Sequence, residues 1–344
     1  MSSSSTILHL PDTLANWPWP RAINLYYEEV KAESRAWFHS FKAFSAKSQY
    51  AFDKCDFEHL RTGSDLMNLL FAIDEYTDVE PAPVVRNMMD IVIDAMKDPH
   101  KPRPEGEVIL GEIARQFWEL AIKSATPTAQ RHMIESLAIN LDAVVQQADD
   151  RDNDSYRSIA SYLANRRENI GAKPAYVPLE LGLDLPDEVF YHPVIVELSD
   201  YVADLIGLDN DIASYNKEQA TDDDRHNIVT VVMHELKVDL DAAMQWVLNY
   251  HRETEAKILD AIERVPSWRS DIDRQVRQYI DGLVHWPRGN DCWNFESGRY
   301  FGNKGPEIQK SRQVALLPKA RISTKDGSLK REDVIVPLIE SLGG

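Results

Sequence analysis

DNDIASYNKE, Asp209 to Glu218, is the stretch on which the reading of this chain turns. It lies in a long segment where Val194, Leu198, Tyr201, Val202, Leu205, Ile206, Leu208 and Ile212 recur at helical spacing. On a helix, Asn210, Ser214 and Glu218 stand four residues apart and share one face. An amide oxygen, a hydroxyl and a carboxylate in one row make a hard-oxygen donor set, suited to Mg²⁺ and poorly suited to zinc or copper. Taken alone, such a row also describes an ordinary solvated helix face. The D-x-D opening invites comparison with an EF-hand calcium loop. That loop needs glycine at its sixth position, where Ser214 stands, and the apolar periodicity runs straight through the stretch, which excludes it.

A second acidic row lies far upstream, in Asp74-Glu75-Tyr76-Thr77-Asp78. Asp74 and Asp78 point the same way on a helix, with Glu75 beside them. Like charges at that spacing repel, so a helix that keeps them often has a cation to neutralise them. Leu69, Leu70, Phe71 and Ile73 immediately precede the acids, which puts them at the end of a buried helix. Two arginine sites complete the pattern. Arg166-Arg167 lie one turn before Gly171, and Arg299-Tyr300 follow two tryptophans near the C-terminus. The planar fork of arginine suits phosphate oxygens, although a lone arginine is more often a surface ion pair. Lys217, beside Glu218, is a further donor.

The chain has 344 residues, 43% of them hydrophobic, enough for a substantial core. A net charge of −18 argues against nucleic acid or an anionic membrane as the main partner. Two cysteines, Cys55 and Cys292, give neither a disulfide framework nor a zinc signature. The opening MSSSSTILHL is not a secretory signal, and no run approaches the roughly 18 apolar residues of a membrane span. The simplest location is the cytosol.

Residues 1–16, with their serine run, read as a flexible, loosely attached N-terminus. Helical patterns follow at about 22–48, 58–79, 84–97, 106–123, 127–148, 155–170, 176–182, 193–219, 226–234, 238–264 and 268–285, with a break near Lys54–Asp56. WPRGNDCWNFESGRYFG is the last structured stretch, and residues 306–344 read as a mobile polar tail. Few alternating β-branched runs occur and no repeat of fixed period is present, so the fold class is all-α. No linker divides the composition, so residues 17–305 form one helical domain with a pocket between its helices.

Together, the motifs resemble the class I terpene synthases. The aspartate-rich motif, D-E-x-x-D, falls on Asp74, Glu75 and Asp78. The second metal motif, N-D-x-x-S-x-x-x-E, falls on Asn210, Asp211, Ser214 and Glu218. Arg167 with Gly171 is similar to the pyrophosphate sensor and effector glycine, and Arg299-Tyr300 to the C-terminal Arg-Tyr pair. Ile170 departs from the pattern, standing where bacterial relatives often carry Asp or Asn. DEYTD, NDxxSYxKE and the WPRGNDCW…RY ending are most similar to fungal sesquiterpene synthases, especially the basidiomycete branch that includes protoilludene synthases.

The resemblance implies a helical bundle around a central apolar cavity and three Mg²⁺ ions. Asp74 and Asp78 would hold metal on one side and Asn210, Ser214 and Glu218 on the other. Arg167, Lys217, Arg299 and Tyr300 would bind the diphosphate. Gly171 would turn its carbonyl toward the developing cation. An allylic cation needs a dry, aromatic hollow, for which Phe71, Trp286, Trp293 and Phe295 are the candidate linings. The implied substrate is farnesyl diphosphate, closed between carbons 1 and 11 through a humulyl cation toward delta-6-protoilludene, by a monomer or homodimer. A prenyl-elongating synthase would need a second aspartate-rich motif where Asn210, Ser214 and Glu218 stand. A non-catalytic helical scaffold would pair its acids and arginines on the surface.

Overall fold

Capping residues in the sequence open several of the helices. In a computed structural model, which describes residues 6–22, 25–53, 61–78, 80–319 and 339, the chain is built almost wholly of helices. They are α1 (Tyr27–Ser40), α2 (Ala46–Asp53), α3 (Arg61–Thr77), α4 (Ala82–Lys97), α5 (Ile109–Ala121), α6 (Pro127–Asp152) and α7 (Ile159–Asn169). Then follow α8 (Ala172–Tyr176), α9 (Asp187–Phe190), α10 (Pro193–Thr221), α11 (Ile228–Leu236), α12 (Leu240–Glu263), α13 (Ser270–Glu296) and α14 (Gly305–Ser311). Thr126, Ser158 and Asp239 each accept a backbone N–H of the turn they open. Pro127 and Pro193 take the first helical turn, where a missing N–H costs nothing. The break expected near Lys54–Asp56 lies outside the described residues.

Three apolar clusters divide the interior. The first belongs to α1–α6, with Leu66, Leu69, Met89, Phe117 and Trp118 among its fully buried members. The second joins α8, α9, the first half of α10, the end of α12 and the first half of α13. The third joins α7, the second half of α10, α11, the start of α12 and the segments after α13. The helix α10 packs against α7, α11, α12 and α13 and is the axis of the later helices.

Three expectations change. Residues 6–16 are anchored: Ile7–His9 (β1) pairs antiparallel with Gln313–Ala315 (β2), and Leu8, Leu10 and Leu14 are buried. The serine run masks how few apolar anchors a short segment needs to dock. The C-terminal segment is likewise held as far as residue 319. Asn216 and Gln219 of α10 donate to the carbonyls of Ala315 and Leu317, and Asn216 Oδ1 accepts the N–H of Leu317. The third change is in α13, which runs on through Pro287 to Glu296. Trp17 donates its indole N–H to the Val284 carbonyl at 3.0 Å, in the turn that the proline disturbs.

Candidate active site

Successive residues of a helix point about 100° apart, and α10 uses this to send Asp209, Asn210 and Asp211 in three directions. Asp209 faces the N-terminal segment and α12, accepting from Thr13 Oγ1 at 2.7 Å with His251 Nε2 3.4 Å away. Asp211 faces α7 and α11. Its Oδ1 accepts from Arg166 Nε at 2.9 Å, and its Oδ2 from the Ile228 N–H at 2.9 Å and the Tyr162 hydroxyl. Asp211 is therefore a carboxylate that ties three helices together. Asn210 lies between, accepting from Arg166 Nη2 at 2.7 Å and donating to the Tyr300 hydroxyl at 2.8 Å.

One and two turns on stand Ser214 and Glu218. Both are set by Asn227, whose Oδ1 caps α11 through the Val229 N–H. Its Nδ2 reaches the Asp211 carbonyl at 2.8 Å, Ser214 Oγ at 3.4 Å and Glu218 Oε2 at 2.9 Å. Burial, then the charges of Asp211 and Asp223, push the Glu218 carboxyl up to about 8, against hydrogen bonds from Asn227 and Ser214 that favour its ionised form.

The upstream acids sit on the last turn of α3 and just beyond it. Arg299 Nη2 donates to Asp74 Oδ2 at 2.6 Å and Nη1 to Glu75 Oε1 at 2.9 Å. Gly298, at φ 77, turns the chain out of α13 so that Arg299 and Tyr300 project back toward it. The guanidinium carbon lies 5.0 Å from the centre of the Phe71 ring, which stacks on Trp293 at 5.1 Å. Trp293 in turn meets Tyr300 edge-on. The chain Asp74–Arg299–Tyr300–Asn210–Arg166 thus joins the two oxygen-bearing rows. Asp78 is pushed well above the ordinary carboxylate range by burial and by the charges of Asp74, Asp223 and Glu75. Asp223, in the loop after α10, is pushed up to about 6, again first by burial.

This donor set fits Mg²⁺. Among the described residues no three His, Cys, Asp or Glu side chains converge on one point as a closed cage would require. Mg²⁺ typically takes one or two protein carboxylates and fills its shell with phosphate oxygens and water. Two open oxygen rows, with carboxylates whose negative charges crowd one another, suit an ion brought in with a diphosphate.

Several candidates are placed differently from the sequence reading. Arg167 turns toward α10 two turns before the metal row, pairing with Asp204 at 2.8 and 2.7 Å. The guanidinium on the row is that of its neighbour Arg166, because one helical residue changes the facing by about 100°. Arg166 crosses α10 at Gly207, where an added Cβ would lie 3.2 Å from Arg166 Cγ. Phe295 lies on another side of α13, stacked on Phe301 at 5.1 Å in the third cluster. Trp286 shares a face with Trp293 two turns away and meets Tyr176 of α8 at 5.8 Å. Gly171 takes a left-handed φ of 77 at the start of α8, and a Cβ there would stand 3.2 Å from Leu70, one turn before Asp74. Its carbonyl accepts the Ala175 N–H at 3.2 Å. Lys217 is half-buried, and its charge acts on Asp223. Sequence reasoning named Arg166 only beside Arg167, and passed over Gly207, Asn227 and Asp223. Asn227 had a readable signal, an asparagine directly before the apolar run Ile228–Val232.

Known proteins give the same picture. The family profile "Terpene synthase family 2, C-terminal metal binding" matches residues 65–257. Sesquiterpene synthase 14 of Postia placenta is 60% identical, with 99% of this chain and 100% of that protein aligned. Delta(6)-protoilludene synthase 18 of the same fungus is 56% identical over 98% of this chain and 99% of its own length. Delta(6)-protoilludene synthase of Armillaria gallica is 52% identical over 91% and 94%. Among solved structures, a-eudesmol synthase superposes with a TM-score of 0.71 at 19% identity, over 82% of this chain and 99% of that one, a likeness of fold. No described helix is long and apolar enough to cross a membrane. With two oxygen rows bridged by an Arg-Tyr pair and relatives matched over nearly their whole length, the chain belongs to the terpene synthase family, enzymes that use a divalent metal on a prenyl diphosphate.

Proposed function

We propose that this chain is a Mg²⁺-dependent sesquiterpene cyclase. It ionises farnesyl diphosphate, releases diphosphate and closes the cation between carbons 1 and 11, through a humulyl cation, to delta-6-protoilludene. The observation that carries the reading is the continuous link from Asp74 through Arg299 and Tyr300 to Asn210 and Arg166. The choice of product rests on the relatives that bear the protoilludene name.

Asp74, with Asp78 through water, would hold metal on one side, and Asn210, Ser214 and Glu218 on the other, for the three ions expected of this family. Bound there, Mg²⁺ supplies Lewis-acid neutralisation of the leaving group and a template for its oxygens. Arg166 and Arg299 take the diphosphate as paired forks, with Lys217 and Tyr300 as single donors. Both guanidiniums already stand on the two rows, so an anion entering between them meets donors whose positions are set. Phe71 and Trp293 present ring faces to the cation and exclude water, and the Gly171 backbone lines the same side. Pure protein with farnesyl diphosphate and Mg²⁺, read by mass spectrometry of the volatiles, tests the reading. The expected product is one tricyclic hydrocarbon. No turnover, or a longer prenyl diphosphate, overturns it; another cyclic hydrocarbon overturns the choice of product alone.

A further inference from the structure

The helix α3 delivers Asp74 and Glu75 on its last turn and Asp78 just past its end, and α4 begins only four residues after that. Such a corner leaves the last carbonyls of one helix and the first N–H groups of the next without intrahelical partners. Both sets are met by adjacent residues at the end of α6. Arg151 Nη2 donates to the Thr77 carbonyl at 3.0 Å and to the Glu80 carbonyl at 2.7 Å. Asp152 Oδ2 accepts the Ala82 N–H at 2.7 Å. A cation thus stands on the C-terminus of α3 and an anion on the N-terminus of α4, each on the end its charge favours.

The two members of this clamp differ in what else they touch. Asp152 serves the start of α4. Arg151 also acts through its charge on Asp223, which belongs to the loop following the second metal row, and on His226 in the same loop. Asp223 in turn acts on Asp78 and Glu218, one from each row. Arg151 is therefore the cation that holds the backbone on both sides of Asp78, and its charge also reaches Asp223.

We propose that Arg151 is a positioning residue for the metal site, fixing the aspartate end of α3 through the Thr77 and Glu80 carbonyls on either side of Asp78. It touches neither substrate nor metal; it acts through the backbone that carries Asp78. The inference rests on the metal-diphosphate reading above.

The test compares the wild-type protein with Arg151→Ala, Arg151→Lys and Asp152→Ala. Two readouts are used: the rise in Tm given by Mg²⁺ with inorganic diphosphate, and the Mg²⁺ concentration for half-maximal turnover. Partners that orient a metal's ligands typically change metal affinity about 10–100-fold when removed, and Arg151→Ala should fall in that range. Arg151→Lys, keeping charge without the fork, should fall between it and wild type. Asp152→Ala should lower Tm while its Mg²⁺ midpoint stays within about twofold of wild type, since capping affects the helix and not the ligands. A folded Arg151→Ala with a wild-type midpoint and ligand-induced Tm rise overturns the inference. So does an Asp152→Ala midpoint displaced as far as that of Arg151→Ala, which would mark general loosening of the corner. Should Arg151→Ala fail to fold, Arg151→Lys decides by the same midpoint. A wild-type protein that shows no Tm rise with Mg²⁺ and diphosphate overturns the functional reading and this inference with it.

Discussion

The two oxygen-bearing rows are built in opposite ways. On α10, Ser214 and Asp211 are buried and Asn227 is 0% exposed; donors from α7 and α11 bond Asp211, and Asn210 donates to Tyr300 of the Arg-Tyr turn. On α3 the row occupies the last turn, and the Asp74 side chain is 48% exposed. One row is therefore fixed by its surroundings before any ligand arrives. The other is held by a guanidinium from a distant turn and by the corner clamp at Arg151, and its Asp74 end faces solvent. An enzyme that must take in a flexible substrate and then enclose it benefits from one rigid wall and one adjustable one.

The largest effects should break this contrast or prove it. Asp74→Ala and Asn210→Ala should each lower turnover by about 10³-fold or more, because each removes an oxygen that we propose holds metal where leaving-group charge is offset. Their stabilities should part company with that of Asp211→Ala. Asp74→Ala removes an exposed side chain and leaves Arg299 with Glu75, so its stability should stay within about 0.5 kcal/mol of wild type. Asp211→Ala takes the carboxylate from the half-buried Arg166 and the buried Tyr162 hydroxyl, and should cost about 3–5 kcal/mol. Urea denaturation of the three variants measures this, and equal losses for Asp74→Ala and Asp211→Ala would erase the difference between the rows. Wild-type turnover in either metal variant would remove the metal assignment.

Between the rows stands the Phe71–Trp293–Tyr300 stack. Trp293→Ala should redistribute the hydrocarbon products several-fold while costing less stability than Asp211→Ala, since Trp293 is only half-buried. An unchanged product profile in the volatiles would reduce Trp293 to packing.

The sequence carried the all-α class, the second row and the Arg-Tyr pair because each depends on local spacing. Asn210, Ser214 and Glu218 share a face by helical geometry alone, whatever surrounds them. Choosing between Arg166 and Arg167 needed the angle at which α7 crosses α10, which is a tertiary quantity. The same limit applies to Phe295 and Trp293, two residues apart on α13, one stacked on Phe301 and the other on Phe71. The docking of residues 6–16 was hidden for another reason. Its partner strand lies some 300 residues away, and neither strand exceeds three residues, too short for a periodicity to show.

A buried histidine joins the half of the chain bearing the aspartate row to the half bearing the second. His132 of α6 places Nδ1 at 3.0 and 3.1 Å from the Glu180 carboxylate and Nε2 at 3.2 Å from Asp187, and stacks on Phe190 at 4.0 Å. Burial opposes its charging, but Glu180 and Asp187 together outweigh burial and hold it above its ordinary value. A pKa raised on folding contributes stability that is complete below the unfolded value of about 6.5 and fades as pH rises through the folded one. The Tm gap between wild type and His132→Gln should therefore be widest near pH 6 and close toward pH 9. A gap independent of pH would show that His132 joins the halves by packing alone.

The smallest effect is the most specific. Glycine within a helix costs roughly 1 kcal/mol relative to alanine, so Gly207→Ala would by propensity stabilise α10. Against this, the new Cβ would sit 3.2 Å from Arg166 Cγ, so the arginine stem must shift by a few tenths of an ångström. Arg166 cannot shift without disturbing its bonds to Asp211 and Asn210 at 2.9 and 2.7 Å. Near-cancellation in stability is therefore expected, with a loss of roughly 3–10-fold in turnover as the fork leaves its place, on the order of 1 kcal/mol of transition-state stabilisation. A variant that gains the full propensity benefit and keeps wild-type turnover would show that Arg166 does not depend on the gap at Gly207. The rigid row would then owe its placement to Asp211 and Asn227 alone.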